Sequence, residues 1–168
     1  TFDGSPVPAG LNQLIELKGT GKICVVGGGK AAAGFAAGLE HLLGRERLHK
    51  HKVHGLVSVP EGCGVQLDHI ELRETRDRAH NLPTDAVVHA THEMLHQLST
   101  LKQEDLAFVL ITGGASALLE SPRAHISLQS LVHLTKNLSH SGVDIQTLNA
   151  IRGMTSNVKA GGLAKSCT

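Results

Sequence analysis

The chain has 168 residues, a formal net charge of +1, three Phe and neither Trp nor Tyr, which is enough length for one domain with an aliphatic core. No Lys/Arg cluster alternates with aromatic residues, which argues against nucleic acid as a partner. No apolar run approaches the roughly 20 residues of a bilayer span and no signal peptide is visible, which argues against a membrane.

The opening segment is loosely amphipathic through Leu11, Leu14 and Ile15. Ile23 to Val26 is a short, continuous apolar run rich in β-branched residues, the mark of a parallel strand covered on both faces. Gly27, Gly28 and Gly29 then turn the backbone and expose N–H groups before a helix from Lys30 to Leu43. Phe35, Leu39, Leu42 and Leu43 mark the apolar face of that helix, and Gly44 caps it. The basic stretch Arg45 to Lys52 contains Glu46 and two His and reads as a solvated loop. Val53 to Val59 is a second strand, stopped by Pro60, Glu61 and Gly62, and His69 to Arg73 is a polar strand suited to a sheet edge. Thr84 or Asp85 caps a helix running to about Leu98.

Leu106 to Ile111 is the second fully apolar strand, followed by a second glycine turn at Gly113 and Gly114. Ser127 then caps a helix with Leu128, Leu131, Val132, Thr135 and Leu138 on one side, ended by Gly142. This alternation predicts an α/β, Rossmann-like sandwich with a mainly parallel sheet and helices on both faces. Cys24, Cys63 and Cys167 are odd in number and lack metal-type spacing. They point to a reducing compartment, the cytoplasm, with the mitochondrion left open.

The first glycine turn is suited to an anion, because N–H groups, a helix N-terminus and Lys30 converge there. It is not a P-loop, which would need glycine at Cys24 and a hydroxyl at Ala31. Gly27, Gly29 and Ala32 do fit GxGxxA, but Glu61 comes too late to be the ribose-binding acid of a dinucleotide site. The second turn repeats the chemistry: Thr112, Gly113, Gly114, Ala115 and Ser116 follow a strand directly and offer hydroxyls and N–H groups. His92, Glu93 and His96 spell HExxH, yet with His89 they lie opposite the apolar face of Val87, Val88, Met94, Leu95 and Leu98. The segment therefore reads as a solvated histidine face rather than a zinc site.

Four motifs in order, GGGKAA, HNLP, LITGGASALLESP and LNAIRGMTSNVKAGGLAK, carry a resemblance to the amino-terminal domain of the glycerate 2-kinase family, the type associated with a carboxyl-terminal MOFRL domain. The resemblance runs from about Lys22 onward. The last motif follows the form N-x-x-R-x-x-x-S-x-x-K-G-G-x-L-A through Asn149, Arg152, Ser156, Lys159, Gly161, Leu163 and Ala164. The resemblance implies ATP- and Mg2+-dependent phosphorylation of D-glycerate to 2-phosphoglycerate in a cleft between two domains, of which only the first is expected here. It implies catalytic roles for Lys30 and Arg152, and phosphate-binding roles for Gly27, Gly28, Gly29, Thr112, Gly113, Gly114, Ser116 and Lys159. The alternative is a nucleotide- or sugar-phosphate-binding module that has lost catalysis.

The chain departs from the family pattern at several positions. Thr112 and Ala115 replace a serine and a glycine of an SGGGS loop, Asn81 and Thr84 replace the proline and aspartate of HPxPD, and Ala160 replaces a glycine. An alanine at 115 would reshape the loop if that position required positive φ.

Overall fold

A computed structural model describes residues 21–167. Within them lie β1 (Ile23–Gly28), α1 (Ala32–Lys50), β2 (His54–Pro60), β3 (Ile70–Arg76), α2 (Asp85–Ser99), β4 (Leu106–Ile111), α3 (Leu128–His140) and α4 (Ile145–Thr155). Two single-turn 3-10 helices, Ala115–Ala117 and Ala164–Cys167, complete the described elements. The amphipathic opening around Leu11, Leu14 and Ile15 lies outside the described residues.

The strands form one parallel sheet in the order β3-β2-β1-β4. The chain thus adds strands on one side of β1 and then returns to place β4 on the other. Parallel crossovers share one hand, so reversing the direction sends the connecting helices to opposite faces. α1 packs over Ile23, Val25, Val57 and Val59, whereas α2 packs over Cys24, Val26 and Leu56. Between these layers β1 is buried along its whole length. The expected α/β sandwich with a parallel sheet is therefore the fold, and the polar β3 stands at an edge as its composition foretold. β4 is the other edge; although wholly apolar, it leaves Val109 and Ile111 exposed.

α1 differs from the sequence expectation in three ways. It begins at Ala32, and its buried stripe is Ala32, Ala36, Leu39 and Leu43, while Phe35 is 60% exposed. Small alanines let the helix approach the glycine-rich end of β1 closely. The basic stretch after Gly44 is helical rather than a loop: Gly44 breaks the helix at φ +69°, and a further turn continues to Lys50 because Leu48 is buried and its carbonyl accepts Val53 N–H. Glu40 on the same helix is buried and accepts the N–H groups of Asp68, His69 and Ile70, fixing where β3 starts.

The other helix starts are side-chain caps. Thr84 Oγ1 accepts Val87 N–H and Ser127 Oγ accepts Ser130 N–H, satisfying donors that the first helical turn leaves without partners. α3 and α4 form a hairpin through Asp144, which caps α4 by accepting from Gln146 and Thr147. The chain then bridges back, pairing Ser156 with Pro122, and inserts Val158 and Leu163 into the core on the α2 side.

Candidate functional site

Open parallel sheets bind ligands beyond the carboxyl ends of their strands, where the strand order reverses. Here that point lies between β1 and β4, whose ends pair in the register Gly28 to Ile111. Both glycine turns emerge from it side by side. Lys30 N–H donates to Gly113 O at 2.9 Å, and Ala31 N–H to Thr112 Oγ1 at 3.2 Å, so the second turn is tied to the residues that lead into α1.

The two turns are not equivalent. Gly27 and Gly28 are ladder residues of β1, and Gly29 N–H donates to Ser58 O at 3.2 Å. With Lys30 and Ala31 also engaged, the first turn holds out no N–H group of residues 29–31, contrary to the exposed cradle that its glycines suggested. Its glycines answer to closeness instead. A Cβ at Gly27 would stand 2.1 Å from Leu110 O, and one at Gly29 2.0 Å from Thr112 Oγ1, both at φ values that favour glycine. The second turn is the open one. Among the described residues, the N–H groups of Gly113, Gly114 and Ser116 meet no acceptor.

Cations gather around this open turn. Lys30 is exposed, and its stem crosses Gly114: a Cβ at that glycine would lie 3.4 Å from Lys30 Cγ and 3.6 Å from Arg76 Nη2. No carboxylate among the described residues pairs with Lys30. On the far side of the turn, Arg152 Nη2 donates to Ser116 O at 3.1 Å, while Arg152 Nε is buried without a partner. Burial lowers the Arg152 pKa, with Glu120 opposing the shift.

Arg152 lines a cleft of about 480 Å³ with Ser116, Asn149, Lys159, Ala160 and apolar side chains that include Ile111 and Leu119. Lys159 does not present a free cation there. Its Nζ donates to Glu120 Oε2 at 2.5 Å and to Leu119 O at 2.9 Å, and the Glu120 side chain is only 1% exposed. The sequence carries no local signal that marks Arg76 or Glu120. Arg76 looked like any charge on a polar strand, and Glu120 lies 39 residues from its partner.

Residues 4–168 match the family described as Domain of unknown function (DUF4147). The chain belongs to that family. Glycerate kinase from Danio rerio is 40% identical over 159 residues, covering 87% of this chain and 30% of that protein. Glycerate kinase from Bos taurus is 37% identical over 153 residues, covering 84% and 28% respectively. The crystal structure of a glycerate kinase from Thermotoga maritima matches with a TM-score of 0.77 at 28% identity, over 94% of this chain and 36% of that one. The chain thus spans about a third of the length of these relatives.

Within this DUF4147 chain, the departures from the kinase pattern can be read structurally. Ala115 sits in a 3-10 turn, and the positive φ of the loop falls on Gly114, at +85°, so alanine is accommodated. Ala160 is different: its φ is +49°, where an L side chain is disfavoured and the family pattern has glycine. In the HExxH segment, Glu93 pairs with Arg73 at 2.8 Å and His92 Nε2 meets Ser121 Oγ at 3.1 Å, so both are engaged in packing α2 against its surroundings. A magnesium ion finds no matching donors around the open turn. Glu120, the acid beside the cleft, is held by Lys159 and Ser121 N–H, and no group of three metal-ligating side chains occurs among the described residues.

Proposed function

We propose that this chain forms the anion-binding wall of a glycerate 2-kinase, in which the γ-phosphoryl group of ATP passes to the 2-hydroxyl of D-glycerate, giving ADP and 2-phosphoglycerate. The observation that carries the reading is the meeting of Lys30 with the open N–H groups of Gly113, Gly114 and Ser116 at the strand-order reversal. Phosphoryl transfer asks for little covalent chemistry from a protein. It asks for donors and cations, fixed in advance, where charge spreads over the transferred oxygens.

In this reading Lys30 and the second turn hold the transferred group, and Arg152 stands at the neighbouring cleft to neutralise the nucleotide. The first turn's glycines contribute by bringing β1 and β4 close enough for Lys30 to cross Gly114. Lys159 supports the cleft through Glu120 rather than touching phosphate. The opposing wall is assigned to a second, carboxyl-terminal domain, so turnover belongs to the full-length protein. The names of the relatives, glycerate kinases at 35–40% identity, support the substrate and reaction class.

Lys30→Ala in the full-length protein tests the reading. Turnover of D-glycerate with ATP is expected to fall about 100-fold or more, the scale of losing one group that stabilises transition-state charge. The melting temperature should barely move, since Lys30 is exposed. An unchanged kcat would reassign Lys30 to the solvated surface and remove the basis of the proposal.

A further inference from the structure

We propose that Arg76 receives the carboxylate of the hydroxy-acid substrate, through the edge formed by its Nε and Nη2. The inference rests on the kinase reading above and adds a residue to it.

Arg76 is the last residue of β3 and only 5% exposed. Its Nη1 donates to two carbonyls of the following loop, Asp77 O and His80 O, at 2.8 Å each. Those bonds fix the plane of the guanidinium. Nε and Nη2 are buried and have no hydrogen-bond partner, and none of the described carboxylates forms an ion pair with Arg76. Asp77, its neighbour in sequence, turns its carboxylate to His80 instead, accepting His80 N–H at 2.8 Å. A buried guanidinium left this way is costly unless an anion completes it.

The Nη2 end of this unpartnered edge lies against the candidate site. Nη2 lies 3.6 Å from the point where a Cβ on Gly114 would stand, beside the Lys30 stem that runs 3.4–3.5 Å from the same point. The aim is built into the strand. The pairing of β2 with β3 shifts register between Val59 and Pro60, so that Pro60 stands opposite Arg76, and such bulges redirect the side chains beside them.

The chemistry selects a carboxylate. Nε and Nη2 are two parallel donors in one plane, matched to two oxygens in one plane. With Nη1 occupied, the guanidinium has that edge left to offer, two donors for two oxygens. The open N–H groups of Gly113, Gly114 and Ser116 and the ammonium of exposed Lys30 suit the phosphoryl group instead.

The test is steady-state kinetics on full-length Arg76→Lys and Arg76→Gln, with titration of D-glycerate followed at the arginine Nε–H resonances of the unmodified protein. KM for D-glycerate is expected to rise about 10- to 100-fold in both variants, the range for losing hydrogen bonds to a charged group, while KM for ATP stays within about twofold. The Nε–H signal that disappears in Arg76→Lys should shift on adding D-glycerate to the unmodified protein and stay fixed on adding glycerol, which lacks the carboxylate. An equal rise in KM for ATP would place a phosphate at Arg76 and overturn the assignment. An Nε–H signal that ignores saturating D-glycerate would do the same; should neither variant fold, the signal is assigned in the unmodified protein by through-bond connection to the Arg76 backbone. Turnover that is normal with unmoved KM values would defeat the Arg76 assignment alone. Absence of glycerate turnover in the unmodified protein would defeat the kinase reading and this inference together.

Discussion

Replacing Glu120 by Leu removes one half of the ion pair beneath the cleft, and its cost can be worked from the geometry. The Lys159 and Glu120 side chains are 15% and 1% exposed, and Nζ lies 2.5 Å from Oε2. Breaking such a buried pair strands the remaining charge and costs about 3–5 kcal/mol. At about 2–4 °C per kcal/mol for a chain of this size, the melting temperature should fall by about 6–20 °C. Replacing both residues, Glu120→Leu with Lys159→Met, leaves apolar groups beside Leu119, Val158 and Leu163 and should return to within about 1 kcal/mol of the unmodified protein.

The alkaline limb offers a second check on the same pair. Burial depresses the folded-state pKa of Lys159 below its ordinary 10.5, with Glu120 opposing. Between that lowered value and 10.5 the unfolded chain binds the proton that the folded one has released, so stability rises with pH across this window. Lys159→Met should lose the rise. Thermal and urea melts of the three variants decide the matter. A Glu120→Leu cost below about 1 kcal/mol, or a double variant equal to the sum of the singles, would refute the buried-pair reasoning.

Ala160→Gly should stabilise the protein by about 0.5–1 kcal/mol, because relief of a left-handed alanine outweighs the added freedom of the unfolded chain; a urea midpoint that falls instead would contradict the strain at φ +49°. Gly29→Ala should cost at least about 2 kcal/mol, since its Cβ would meet Thr112 Oγ1 at 2.0 Å. A variant that melts normally and loses only ligand affinity would restore the anion-cradle role to that glycine. Asp77, Asp105 and Asp144 are held below the ordinary 3.8, chiefly by hydrogen bonds from His80 N–H, Lys102 N–H and the Thr147 hydroxyl respectively. The stability they lend is present above 3.8 and lost as pH falls below it. Asp144→Asn should therefore flatten the acid limb of a stability profile taken from pH 5 to pH 3.

The strands and caps were legible because burial leaves a period in the sequence. β1 and β4 are unbroken apolar runs, and Thr84 and Ser127 are hydroxyl residues immediately before apolar helical stripes. A left-handed glycine usually ends a helix, which makes Gly44 look like a stop, but the burial of Leu48 pulls the following turn back into helical form. The site was legible only at its turns. Arg73 and Arg76 share one polar strand, yet Arg73 joins Glu71 and Glu93 at the surface while Arg76 is buried beside a turn 38 residues later in the chain. Nothing local separates them. The difference comes from a register shift and from the return of β4 to the far side of β1, both of which are properties of the assembled sheet.

The same geometry explains why departures from the kinase pattern leave the open turn intact. Thr112 replaces serine but keeps the Oγ that accepts Ala31 N–H and ties the second turn to the start of α1. Ala115 replaces glycine at a position whose backbone any residue can adopt, because the left-handed step has been taken one residue earlier, at Gly114. Thr84 replaces aspartate with another capping residue, and its hydroxyl also donates to Thr75 O, anchoring the end of β3 from which Arg76 projects. Each substitution preserves the atom or the torsion that the turn uses. Gly114 tolerates no such exchange: its φ is +85°, a conformation that L side chains rarely adopt, and a Cβ there would stand in contact with Lys30 and Arg76, filling space in which the substrate is proposed to lie.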